Sequence, residues 1–297
     1  MLNIKQVEST NECVITGTLN ELEIVEDKTK DGRAYIRGTA KIKVDQEIEG
    51  KLVENIIPVS MFSMRLKKDG TENKVYDRIL GYKNNLISAA AAETPAQASK
   101  ITIAGKACNI TENMWVDKTT GNVRTGGFSI NSNFLNAKKD SDKEQAIFEM
   151  TGVVLGKRDE MQNDEPTGRL IISFGVITYG GKINVIDLYA ADSAKAYIET
   201  NWNDGETVKA IGVINSSSKV IEWEEEVGFG EPIKRQRTQS RRELIITAGS
   251  PNGFEESLSY DADDVKAALA ERKGRIEEMK NNASNAAKPK SSSDFGF

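Results

Sequence analysis

Between Arg33 and Val44 the chain alternates without a break. Ala34, Ile36, Gly38, Ala40, Ile42 and Val44 fall on one side; Arg33, Tyr35, Arg37, Thr39, Lys41 and Lys43 fall on the other. Successive side chains of a strand point to opposite faces, so this stretch reads as a strand with one buried and one open face. The open face carries four cations and one aromatic ring. Phosphates attract cations, and unpaired bases stack on flat π-faces. A solvated edge strand guarded by Lys and Arg is the alternative.

Composition excludes several chemistries. The chain has 297 residues and no histidine, which removes His-based acid–base catalysis, His-dependent triads and the commonest metal ligand. Cys13 and Cys108 sit in apolar, strand-like surroundings and read as buried free thiols. Two cysteines without histidine do not make a usual structural zinc site. No Gly-rich phosphate loop leads into Lys-Ser or Lys-Thr, and no Cys-x-x-Cys occurs. The carboxylates are scattered, so neither catalytic residue, metal nor cofactor is expected, and the chain reads as no enzyme. With 38% apolar and 29% charged residues and no run of membrane-spanning length, a water-soluble protein is expected. Met1–Lys5 shows no basic region followed by an apolar stretch, so the expected location is the cytoplasm.

Net charge is −5, which alone does not favour nucleic acid. Its distribution does. A second basic cluster, Lys234, Arg235, Arg237, Arg241 and Arg242, puts five cations into nine residues.

Taken in order, strands are expected over 13–25, 33–44 and 55–62, a helix over 76–92, a fourth strand over 100–110, and a hairpin whose arms hold 114–116 and 126–130. Pro58 suggests an edge or a bulge in the third strand. A polar stretch, 136–145, marks a boundary. The pattern then returns: Thr151-Gly152 follows Thr16-Gly17, 169–179 follows 33–44, 182–189 forms a third strand, 193–202 a short helix, and 206–215 a fourth strand. A last hairpin joins 220–226 to 243–247, with the basic run in its connection. Residues 261–282 form an amphipathic helix with Val265, Leu269, Ile276 and Met279 on one face. The Asn-, Ser- and Lys-rich tail lacks the apolar content to order itself.

The expected fold is therefore mainly β: two five-stranded Greek-key barrels of the oligonucleotide-binding (OB) type, each with a short helix, plus a C-terminal helix and disordered tail. The expected divisions are residues 1–135, a linker at 136–145, 146–258, the helix at 259–282 and the tail at 283–297. In such barrels nucleic acid crosses strands two and three between the 1–2 and 4–5 loops, where both basic clusters would fall. Candidate contacts are Arg33, Tyr35, Arg37, Lys41, Lys43, Trp115, Phe128, Lys234, Arg235, Arg237, Arg241 and Arg242. Trp223, followed by three glutamates, is read as structural.

On this order of elements, the aromatic-plus-basic strand and the terminal Asp294-Phe295-Gly296-Phe297, the chain resembles single-stranded DNA-binding proteins of bacterial and phage replication. Two barrels in one chain look more like a phage version, which would act in a bacterial host's cytoplasm. The resemblance implies a non-catalytic protein coating single-stranded DNA in replication or recombination. It implies that Asp294, Phe295 and Phe297 recruit partner proteins, and it is compatible with a homo-oligomer. The tip has a single Asp where that family has several, and Gly296 where it has Pro. Rival readings are a structural virion protein and a single-strand annealing or RNA-binding protein.

Overall fold

The computed structural model describes residues 9–117, 119–178, 180–225, 229 and 232–286. The tail positions Asp294, Phe295 and Phe297 lie outside them. Twelve strands join in one large mixed sheet: β1 (Asn11–Lys28), β2 (Ala34–Ile48), β3 (Lys51–Met64), β4 (Lys100–Ile103), β5 (Asn109–Val116), β6 (Val123–Asn131), β7 (Asn136–Ala137), β8 (Gln145–Gln162), β9 (Glu165–Thr178), β10 (Lys182–Ala190), β11 (Thr207–Glu225) and β12 (Ile233–Gly249). Among the described residues three α-helices complete the fold: α1 (Lys74–Asn85), α2 (Asp192–Asn201) and α3 (Ala262–Ala286). None of the described helices is long and apolar enough to cross a membrane.

The pairing runs in two circuits. In the second half β8 pairs with β9, β9 with β10, β10 in parallel with β12, β12 with β11, and β11 again with β8. In the first half β1 pairs with β2, β2 with β3, β3 in parallel with β6, and β6 with β5. The return to β1 is made by β4, by a Cys13 N–H bond to the Cys108 carbonyl at 2.9 Å, and by paired bonds between the Asn11 amide and Ile110. Both thiols are buried, and burial raises the Cys13 pKa, with Cys108 beside it adding to the effect.

The recurring Thr-Gly has a steric cause. A Cβ on Gly17 would stand 2.1 Å from the Lys43 carbonyl, and one on Gly152 would stand 2.5 Å from the Gly175 carbonyl. At both places the first strand of a circuit lets the backbone of the second come closer than any side chain would allow.

The strand alternation read between Arg33 and Val44 holds: Ile36, Ala40, Ile42 and Val44 are buried. Pro58 lies in β3, which pairs with β2 along its length but with β6 only at Val59 and Ser60. Three local expectations need correction. The helix anticipated over 76–92 ends at Asn85, although Ala89–Ala92 favour helix intrinsically. Ala89 and Ala90 instead donate their N–H groups to Leu19 and Asn20 of β1, a tertiary partner outweighing a weak local preference. The fourth strand is broken at Gly105, whose φ of +75° opens a tight turn between β4 and β5. The basic run 234–242 is not a loop. It is strand β12, paired residue by residue with β11 from Ser216↔Arg242 to Glu224↔Lys234.

Besides the parallel pairing of β6 with β10 at Gly126↔Ile186, three further sets of contacts bind the halves together. β1 residues Asn11–Thr16 pair with β8 residues Met150–Gln145. The far end of the β2–β3 hairpin clasps β11: Ser216 N–H donates to Asn55 Oδ1 at 2.7 Å, the Ser216 hydroxyl to the Ile56 carbonyl at 2.8 Å, and Gln46 Nε2 to the Ile214 carbonyl at 2.9 Å. Finally Glu112 of β5, 1% exposed, accepts a forked pair of bonds from Arg272 of α3 and the Val185 N–H of β10.

Removing one partner of a buried ion pair strands the other charge. Glu112→Ala is expected to lower unfolding stability by about 3–5 kcal/mol, read as a shifted midpoint in chemical denaturation. Gly17→Ala should cost about 1–3 kcal/mol by overpacking, whereas Gly156→Ala, with nothing within 4 Å of the added Cβ, should escape that steric cost.

Candidate nucleic-acid interface

The outer face of β1–β2–β3 is an ordered array. Cross-strand register sets Asp27, Tyr35 and Met64 in one row, Val25, Arg37 and Phe62 in the next, then Glu23, Thr39 and Ser60, then Glu21, Lys41 and Pro58. The Tyr35 and Phe62 rings lie 5.6 Å apart, tilted by 35°. Phe62 is 54% exposed. The Tyr35 hydroxyl donates to Asp27 at 3.1 Å, and this bond raises the Tyr35 pKa. Asp27 is lowered, first by the Lys28 N–H and then by Tyr35. Beside this pair, Phe134 carries the Arg78 guanidinium 4.6 Å above its ring, and Asn133 Oδ1 accepts from the Phe62 N–H.

The cations of β2 are not equivalent. Arg33 is paired with Asp31 at 2.6 Å, Lys41 with Glu21 at 2.6 Å, and Lys43 with Glu54. The Glu54 bond, more than any other contact, raises the Lys43 pKa. Arg37 alone of the four has no carboxylate within ion-pair distance among the described residues. Glu21 and Glu54 on the flanking strands and Asp31 in the preceding turn thus neutralise three of these four cations.

The second cluster stands on an arm. Residues 216–225 and 233–242 pair only with one another, beyond the last contacts of β11 with β8 and of β12 with β10. Strand alternation sorts the arm into two faces. Arg235, Arg237 and Arg241 share one face with Lys219, Ile221 and Trp223. Lys234 and Arg242 lie on the other with Glu222 and Glu224. Trp223, read from sequence as structural, is 45% exposed. Glu224, which follows it, points away from its face, and Glu225 pairs with Arg235 at 2.7 Å. Arg241 lies 3.7 Å from Glu243. Lys234, Arg237 and Arg242 have no carboxylate that close among the described residues.

Trp115 is exposed on β5, opposite Arg124. Phe128 corrects an expectation: it is 4% exposed and packs in the core, with the Arg242 guanidinium 4.9 Å above its ring. Desolvation there lowers the Arg242 pKa. A ring so enclosed has no free face for a base. Phe62, Phe134 and Arg78 were missed from sequence. Phe62 had a usable signal, since it continues the outward alternation of a strand that pairs with β2. Phe134 and Arg78 come from a loop and a helix and had none.

The equivalent face of the second half is covered. Val153, Leu155, Ile177 and Ile183 of β8–β10 pack against Tyr260, Val265, Ala268 and Leu269, and Arg275 bonds the Ile183 carbonyl at 3.3 Å. Arg169 of β9 is turned inward onto Glu243, with bonds of 3.2 and 3.1 Å. No group of three or more His, Cys, Asp or Glu side chains among the described residues is arranged to hold a metal ion.

Residues 9–282 match the YorF family model, and the chain belongs to the YorF family. No protein with a curated description matches it. Among solved structures it is similar to the wild-type single-stranded DNA binding protein from Thermus aquaticus, with a TM-score of 0.49 and 9% identity, covering 83% of this chain and 95% of that one. A deletion mutant of the same Thermus aquaticus protein gives a TM-score of 0.49 and 9% identity, covering 84% of this chain and 96% of that one.

Of the three tryptophans, Trp115 and Trp223 are exposed and Trp202 is 2% exposed. Iodide should therefore quench the first two and spare the third. Trp115→Phe and Trp223→Phe should each remove part of the quenchable emission, and Trp202→Phe should remove the protected part.

Proposed function

We propose that this chain binds single-stranded DNA and coats it without catalysing a reaction. The observation that carries this reading is the open β1–β2–β3 face, where Tyr35 and Phe62 present adjacent rings next to the unpaired Arg37. Aromatic rings beside a cation are what a flexible strand with exposed bases and regularly spaced phosphates requires, and such contacts tolerate any sequence. The arm adds a row of arginines beside Trp223 and extends the same chemistry away from the body. The rings and the unpaired cations favour this reading over a structural protein.

Each pairing circuit is read as one OB-like barrel, with the strand order 1-2-3-5-4 closing on 1 and the third and fifth strands parallel. β4 and β5 together serve as strand four of the first. The proposed units are residues 1–135 and 146–258, joined through 136–145. The sheet face of the first unit and the arm of the second carry the contacts, because α3 lies on the second unit's sheet face. Asp294, Phe295 and Phe297 are proposed to recruit other replication or recombination proteins.

Titration with poly-dT, followed by tryptophan fluorescence at low and high salt, tests the reading. Saturable quenching that weakens with salt is the expected result; a flat titration at low salt overturns it. Phe62→Ala and Tyr35→Ala should each weaken binding by about 1–3 kcal/mol with little change in salt dependence. Arg37→Ala and Arg237→Ala should each flatten the slope of log affinity against log salt by up to roughly 0.7. Lys41→Ala, which removes a cation already neutralised by Glu21, should change that slope less.

A further inference from the structure

One row below Arg37 and Phe62, the open face dips. Glu23, Val25, Arg37, Gly38, Thr39, Ser60 and Met61 line a depression of about 290 Å³. Its floor is formed by short side chains, since Thr39 and Ser60 face each other across β2 and β3 and Glu23 closes the row on β1. Ligand pockets for small molecules run from about 300 Å³ upward, so this one is sized for a single ring system.

Its charges are also distinctive. Glu21, Glu54 and Asp31 are each spent on a neighbouring cation. Glu23 has no ion-pair partner among the described residues, and neither has Arg37, which lines the same depression one row away on the neighbouring strand. A complementary ligand carries both an anionic group and hydrogen-bond donors. A nucleotide has both: a phosphate for Arg37 and a base edge for Glu23.

An ionised carboxylate only accepts hydrogen bonds. It therefore discriminates between bases by their donors. Thymine offers one N–H flanked by two carbonyl oxygens, which a carboxylate repels. Adenine and cytosine each offer an amino group next to a ring acceptor. Guanine offers N1–H and the N2 amino group side by side, two parallel donors that fit two carboxylate oxygens as a fork. We propose that Glu23 is a specificity-determining residue that selects guanine at one nucleotide position of the bound strand. The remaining contacts tolerate any base. This inference rests on the proposed binding of single-stranded DNA.

The test is a competition, read by fluorescence anisotropy, among fifteen-nucleotide dT oligomers whose central residue is dT, dG or deoxyinosine, the last lacking the N2 amino group. The wild-type protein should prefer the dG oligomer to all-dT by about tenfold, the order expected for one bidentate contact. Deoxyinosine should fall between them. Glu23→Gln keeps the size of the side chain but replaces one acceptor oxygen with a donor, and should bring the dG and dT oligomers within about twofold of each other. Glu23 is exposed, so the variant's thermal unfolding should match wild type. Binding of all three oligomers with equal affinity overturns the guanine site and leaves the DNA-binding reading intact. A preference that survives in Glu23→Gln assigns it to another residue and overturns the role of Glu23. No binding of any oligomer overturns the DNA-binding reading itself.

Discussion

The joint between the two circuits governs what each surface can do. β1 and β8 lie side by side over Asn11–Thr16 and Gln145–Met150, so one hydrogen-bonded sheet continues from one half into the other. Backbone pairing of this kind leaves little room for relative rotation without breaking several bonds together. The Glu112 carboxylate then ties β5 to both β10 and α3. An ion pair this deeply buried adds little net stability compared with apolar packing, because desolvation offsets most of the attraction. Its effect is positional: a displaced helix would leave Glu112 without its partner in a dry site.

That positioning makes the halves unequal. Their strand orders correspond, yet one sheet face is open and the other is packed against the molecule's own C-terminal helix. The covered face is apolar, with Ile177 and Ile183 at its centre. The open face is polar and aromatic. Hydrophobic burial thus assigns the second face to the core of the molecule, and leaves the first free for solvent or a ligand. The clasp of Ser216 by Asn55 and Ile56 fixes the root of the arm against the first half. Beyond that root, the arm rests on its own cross-strand bonds.

Electrostatic pairing subdivides the open surface further. A cation already bonded to a carboxylate must break that bond to meet a phosphate, and an exposed pair is screened and worth little either way. Arg37, Lys234, Arg237 and Arg242 have no such partner among the described residues, whereas Arg33, Lys41 and Lys43 do. The protein's charge is therefore better described by its unpaired members than by its total of −5.

Much of the fold was legible in the sequence because strand periodicity is local. The buried set Ile36, Ala40, Ile42 and Val44 follows from alternation alone, and so does the outward placing of Tyr35 and Arg37. The repeated Thr-Gly marked corresponding strands, since a glycine forced by close backbone approach stays visible as a residue type. Position 234–242 was misread because a strand of Gln, Arg, Thr and Ser has no buried face to give it a period; only its partner β11 makes it a strand. Trp223, read as structural from the three glutamates that follow it, shows a related limit: cross-strand pairing puts Glu224 on the opposite face and leaves the ring exposed. Which cations are neutralised, which ring is enclosed and which sheet is covered depend on residues far apart in the chain: Glu21 on Lys41, Arg242 on Phe128, α3 on β10. The sequence by itself determined those strands that have a buried face, and which side of each is buried. Tertiary structure decided which of those faces a ligand can reach, because access is set by what packs across from a residue and not by what stands next to it.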